Sequence, residues 1–178
     1  QLAYALATGV EYLRALTDLG LSPDEAFGKI LFRVSANTDQ FVTIARLRAL
    51  RTLWSRVGEV VGVSPDRRGA MQHAVTSLRE ISRDDAYVNV LRGTISAFAA
   101  SVGQAEIITV LPLDTVIGMP NDLTRRIARN TQILLAEESN LGRVNDPAGG
   151  AWFVESMTQQ LGEQACELFG KLDEQGMA

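Results

Sequence analysis

The chain has 178 residues, 46% hydrophobic and 21% charged, which is enough apolar content for a buried core and too much for a disordered segment. A formal net charge of -4, with Arg67-Arg68 and Arg125-Arg126 as isolated pairs, leaves no basic field to attract nucleic acid. No apolar run approaches the roughly 20 residues of a membrane span, and the N-terminus lacks the basic-then-apolar layout of a signal peptide, so the chain reads as cytoplasmic.

In chain order, apolar residues at helical spacing (Leu2, Leu6, Val10, Leu13, Leu16) predict a first helix that Gly20 closes. It has no cap before it and there is no starting Met, so both ends are expected to be internal to a longer protein. Ser22-Pro23-Asp24-Glu25 supplies an N-cap serine, a first-turn proline and a reciprocal Glu, the pattern of a short second helix. A strand is predicted over Ile30 to Ala36. Asn37 or Asp39 then caps a helix bearing Phe41, Ile44, Leu47, Leu50, Leu53, Trp54 and Val57, which ends near Gly58 to Gly62. After a polar turn a second strand runs from Ala70 to Ser77, and Asp84 or Asp85 opens a helix carrying Val88, Leu91, Ile95, Phe98 and Val102. Gly103 stops it, Ile107 to Leu111 is the third strand, and Asn121 or Asp122 begins a helix with Leu123, Ile127, Leu134 and Leu135 in register. A last helix covers Ser156 to Leu172.

Strands alternating with long helices predict parallel βα units, as a closed barrel or an open doubly wound sheet. No Gly-x-Gly-x-x-Gly or Gly-x-x-x-x-Gly-Lys-Ser/Thr motif occurs, so the nucleotide-binding open sheets lose their sequence support. The fold class expected is α/β, part of a (β/α)8 TIM-type barrel over residues 1–178, with too few units to close eight strands alone.

Individual residues carry little chemistry by themselves. His73, the only histidine, lies mid-strand and reads as packed structure more readily than as a group polarising a carbonyl. The adjacent carboxylates Asp84-Asp85 and Glu137-Glu138 point about 100° apart on a helix and read as caps or solvated faces. Arg46, Arg48 and Arg51 alternate with Leu47 and Leu50 and read as a basic solvated face. Asn145 to Gly150 is a turn-forming cluster that would cradle a phosphate only with further support. Cys166 is the single cysteine, which rules out an internal disulfide and makes a cysteine zinc site untenable; its helical position reads as small apolar filler.

A resemblance adds what spacing does not. Arg126-Ile127-Ala128-Arg129-Asn130-Thr131-Gln132, Glu137-Glu138-Ser139-Asn140 and Asp146-Pro147-Ala148-Gly149-Gly150-Ala151-Trp152-Phe153-Val154-Glu155 together resemble the end of the methylmalonyl-CoA mutase barrel. Ile44 to Trp54 is similar to a family helix, Asp85 to Arg92 resembles Asp-x-Tyr-Asn-Asn-x-x-Arg, and Gly176-Met177-Ala178 fits the end-of-domain segment. The family implies a (β/α)8 barrel threaded by a CoA ester. A separate cobalamin-binding domain, absent from this chain, supplies the metal ligand from Asp-x-His-x-x-Gly. His73, with Met71 two before it and Thr76 three after, is not that ligand.

Departures from the family pattern point to a non-catalytic member. Catalytic relatives have Arg-x-His-x-Gln-Thr-Ser-Gly-Trp where this chain reads Met71 to Arg79, keeping only His73, Thr76 and Ser77. Their Thr-Gln-Ser-Leu-His-Thr-Asn is replaced by Ala105 to Leu111. The resemblance therefore implies the small subunit of an adenosylcobalamin-dependent isomerase of propionate metabolism. The cofactor acts in the assembled enzyme, this chain binds no cofactor or metal, and a catalytic large subunit is its heterodimer partner. The alternative is an active acyl-CoA mutase subunit with a variant pocket. His73, Thr76 and Ser77 are expected to cluster at a strand end as a vestigial pocket without a nearby arginine. Arg126, Arg129, Asn130, Glu138 and Asp146 are the retained motif. An ion-pair lock from Arg126 or Arg129 to Asp146 is expected to explain its retention.

Overall fold

A computed structural model describes residues 1–174 of the chain. The segment Gly176 to Ala178 lies outside the described residues. Helix α1 spans Leu2–Asp18, and α2, Pro23–Phe27, begins with the capping box expected at Ser22: its hydroxyl accepts from the Glu25 N–H while the Glu25 carboxylate accepts from the Ser22 N–H. Strand β1, Leu31–Ala36, leads to α3, Gln40–Val60, capped by Asp39 accepting from the Val42 N–H. Strand β2, Met71–Thr76, is followed by α4, Val88–Val102, then β3, Ile107–Thr109, α5, Asp122–Glu137, and α6, Trp152–Glu174.

The three strands form one parallel sheet in the order β1-β2-β3, with α3 and α4 as the crossovers. The parallel βα expectation therefore holds. Several boundaries differ from the sequence-based ones, three of them for a reason the structure shows. Helix α4 starts three residues late because Asp85 takes a left-handed backbone conformation, φ 51°, that a helix cannot continue. Strand β3 stops at Thr109 because the Leu111 N–H is taken by the Thr76 hydroxyl at 2.9 Å, not by a ladder carbonyl. Helix α6 starts at Trp152, since the Glu155 N–H already bonds the Ala151 carbonyl at 2.9 Å.

Period-two alternation gives the sheet a covered and an open face. Phe32, Ala36, Gln72, Ala74 and Thr76 are buried against the helices, and Leu47 and Ala100 pack on Ala36 and Ala74. Alanines 97, 99 and 100 are fully buried, which lets α4 lie close to its neighbours. The largest core cluster centres on Trp54, fully buried, with Phe27 stacked at 4.5 Å between ring centroids and Phe32 edge-on at 4.9 Å. Leu31, Arg33, Met71, His73 and Ile107 occupy the open face, all partly or well exposed.

Candidate functional site

Register places Arg33 beside His73 and His73 beside Ile107 across the open face. His73 Nε2 lies 2.8 Å from the Thr109 hydroxyl. Thr76 is three residues further along the strand, an odd separation, so it turns to the covered face, where it is buried. Ser77 leaves the strand: its N–H donates to the Ala36 carbonyl at 2.9 Å and its hydroxyl accepts from the Arg79 N–H. The expected trio is thus divided. Thr76 and Ser77 line a cleft of about 490 Å³ at the strand carboxyl ends, and His73 does not. The expectation that no arginine stands nearby is also corrected, because Arg33 and Arg79 line that same cleft.

An adjoining lobe of about 560 Å³ shares Gln1, Arg33, Val34, Ser35 and Arg79 and reaches Arg46 on α3. Arg46 is 8% exposed; it donates to Gln1 Oε1 at 2.6 Å and to the Ser35 carbonyl, while its Nε has no acceptor. Burial lowers its pKa, opposed by the charge of Glu80. The Glu80 carboxylate itself ties two strand-end loops together, accepting from the Thr38 N–H at 2.8 Å and hydroxyl at 3.0 Å.

The retained motif is organised by Arg48. Its Nε and Nη2 reach Asp146 at 2.9 and 2.8 Å, a bidentate fork. Nη1 and Nη2 reach Glu155 at 3.1 and 2.9 Å, and Nη1 also donates to the Thr158 hydroxyl at 3.2 Å. All five guanidinium N–H groups are used, joining α3 to the loop and to α6. The carboxylates raise the Arg48 pKa, and Arg48 followed by the Gly150 N–H lowers that of Glu155. Asp146 has φ 45°, and a Cβ on Gly149 would sit 2.8 Å from Asp146 Oδ2, so the loop needs glycine there to close over the carboxylate.

The lock expected from Arg126 or Arg129 is therefore not formed. Both are exposed on α5, as is Asn130, Glu138 is exposed at its C-cap, and neither arginine makes an ion pair among the described residues. Helix α5 buries Thr124, Ala128, Thr131 and Leu135 instead, and the arginines fall outside that stripe. The Asp85 to Arg92 similarity has a structural basis too. Asn89, 4% exposed, donates to the Ser82 and Leu113 carbonyls at 2.8 and 2.9 Å and accepts from the Ser82 N–H and from Arg92.

Sequence reasoning missed Arg48 as a clamp and Arg33 and Arg79 as cleft residues. No local signal marked Arg48, because Thr52 and Arg56 follow it at spacings of four as they would along a solvated stripe. Arg46, 8% exposed, and Arg48, with a side chain 12% exposed, contradict the basic-face reading. Cys166, read as filler, is exposed, because the buried stripe of α6 passes through Ala165 and Leu172.

With the geometry in place, comparison with known proteins decides the family. The family model described as methylmalonyl-CoA mutase matches residues 1–178. The chain belongs to the methylmalonyl-CoA mutase family. A methylmalonyl-CoA mutase small subunit from Propionibacterium freudenreichii subsp. shermanii is 57% identical over 177 residues, 99% of this chain and 28% of that protein. The small subunit from Streptomyces virginiae is 51% identical over 173 residues, 97% of this chain and 28% of that protein. A protein named methylmalonyl-CoA mutase from Escherichia coli K12 is 38% identical over 177 residues, 99% of this chain and 25% of that protein. The chain spans under a third of these relatives' length, and its likeness to the two small subunits exceeds that to the Escherichia coli mutase. No helix among the described residues is long and apolar enough to cross a membrane.

The metal-ligand motif of the family's cofactor is not met by the histidine of this chain. His73, the only histidine, carries neither flanking residue of the cobalamin-ligand motif, and its Nε2 is engaged by Thr109.

Proposed function

We propose that this chain is part of the (β/α)8 barrel of a mutase small subunit. In this reading it supports the interconversion of methylmalonyl-CoA and succinyl-CoA without carrying it out. Residues 1–178 form one barrel portion, and adenosylcobalamin is held elsewhere in the assembled cytoplasmic enzyme. A catalytic large subunit is the heterodimer partner. The observation that carries this reading is the open sheet face. In a closed barrel it lines the interior, and here it presents Met71, Val75 and Ile107 around a histidine already bonded to Thr109. Oriented charged or buried polar contacts are worth roughly 1 to 3 kcal/mol each, so apolar replacements at these positions remove much of a substrate grip. His73, Thr76 and Ser77 are then vestiges of a substrate pocket, and the motif from Arg126 to Glu155 persists for folding, with Arg48 as the partner of its carboxylates.

The test is turnover of the purified complex of full-length subunits carrying His73→Ala. Unchanged turnover is expected. Loss of turnover in a complex that still assembles would favour an active mutase subunit with a variant pocket.

A further inference from the structure

The loop between α5 and α6 contains the only aspartyl-prolyl bond in the sequence, Asp146–Pro147. Such a bond carries its own nucleophile, because attack by the aspartate carboxylate on its own peptide carbonyl closes a five-membered ring. The proline nitrogen belongs to a tertiary amide without an N–H and is more basic than an ordinary peptide nitrogen, so it leaves more readily. Two further features favour reaction at this position. Asp146 takes a left-handed backbone conformation, φ 45°, and Pro147 is exposed to water. The Asp146 carbonyl oxygen accepts from the Gly149 N–H at 2.8 Å, a donor placed where negative charge grows during attack. Only the carboxylate is withheld. Arg48 Nε holds Oδ1 at 2.9 Å and Nη2 holds Oδ2 at 2.8 Å, and Arg48 is itself pinned by Glu155 and Thr158 of α6.

We infer that Asp146–Pro147 is a latent self-cleavage site, and that the Arg48 fork keeps it intact in addition to tying α3 to the loop. A carboxylate that accepts two charge-assisted hydrogen bonds has its electron density engaged and its plane fixed, so it is a poorer nucleophile and does not turn onto the carbonyl carbon. Once the fork opens, one carboxylate oxygen of Asp146 bonds to the Asp146 carbonyl carbon. A proton from the solvent goes to the Pro147 nitrogen, and the C–N bond breaks with its electron pair on nitrogen. The products are a cyclic anhydride on Asp146 and a free secondary amine on Pro147. One water opens the anhydride, leaving Asp146 as a new carboxyl terminus with its side chain restored. The net change is hydrolysis of one peptide bond, with no co-reactant but water. Helix α6 packs on α1 and α3, so a subunit cut here keeps α6 in place without a covalent link to α5. The inference is independent of whether the subunit turns over substrate.

The test incubates the full-length subunit in its complex in mildly acidic buffer, which supplies the proton for the proline nitrogen, and then isolates the material still assembled. Mass spectrometry measures the paired fragments that end at Asp146 and begin at Pro147. Arg48→Met is expected to be cut at this bond at least about tenfold faster than the unsubstituted subunit, whose cutting should accelerate likewise when urea opens the fork. Arg48→Lys, which keeps the charge but offers donors from a single point, should fall between the two. Arg48→Met combined with Asp146→Asn lacks the carboxylate and should stay whole. Where Arg48→Met does not assemble, the rate of Arg48→Lys against the unsubstituted subunit decides. Cutting of the folded, unsubstituted subunit as fast as in urea, no acceleration in the Arg48 variants, or undiminished cutting after Asp146→Asn overturns the proposal.

Discussion

Replacing Arg48 by methionine isolates the clamp, because methionine keeps much of the aliphatic stem while removing five donors. The Arg48 side chain is 12% exposed, whereas those of Asp146 and Glu155 are 44% and 47% exposed. Breaking a fully buried pair costs roughly 3 to 5 kcal/mol, and an exposed pair about 1 or less. The guanidinium lies near the buried limit and its carboxylates near the exposed one, so Arg48→Met is expected to cost about 2 to 3 kcal/mol. Arg48→Lys keeps the charge but offers three donors from a point, so it should lose about half of that. Arg129→Ala, on the exposed face of α5, should change stability by no more than about 0.5 kcal/mol. Urea denaturation of the full-length subunit gives the midpoints, and limited proteolysis reports release of the loop over residues 143–150. A cost under about 0.5 kcal/mol for Arg48→Met, or a larger one for Arg129→Ala, would refute the clamp as the reason the motif is retained.

Gly149→Ala places a Cβ 2.8 Å from Asp146 Oδ2 and 3.0 Å from its carbonyl oxygen, and should destabilise by about 1 to 3 kcal/mol in the same denaturation series; a neutral result would mean that the loop relaxes freely. Trp54→Ala removes the stacked centre of the main core and should cost about 3 to 5 kcal/mol, read as loss of soluble yield or a large drop in midpoint. Acidification gives a third check through three carboxyls with lowered pKa. Asp24 is held down by the Ser64 N–H and hydroxyl, Glu25 by the Ser22 hydroxyl and N–H, and Glu155 by Arg48 and the Gly150 N–H. A depressed folded-state pKa contributes stability that is present above the unfolded value, 3.8 for Asp and 4.5 for Glu, and is lost as pH falls through the folded value. The urea midpoint should therefore decline below about pH 4.5, and a midpoint that rises there contradicts the assignment.

The sequence by itself determined the order and type of elements, because Ser22, Asp39 and Asn121 are local caps and the apolar spacing of α1, α3 and α5 is written along one chain segment. It also carried the family, since the Arg126 to Glu155 motif is contiguous. Boundaries failed where a contact from afar intervened: the Thr76 hydroxyl ends β3 from 35 residues away. The partner of Asp146 was illegible for the same reason. Arg126 and Arg129 are near it in sequence, yet the guanidinium that reaches it lies 98 residues earlier, on a helix the loop meets only after folding. Strand parity, not proximity in sequence, likewise separated His73 from Thr76. Tertiary packing alone decided that Arg46 and Arg48 are enclosed and that Arg33, Arg46 and Arg79 face one cleft, because periodicity specifies a face of an element but not what the fold brings against it.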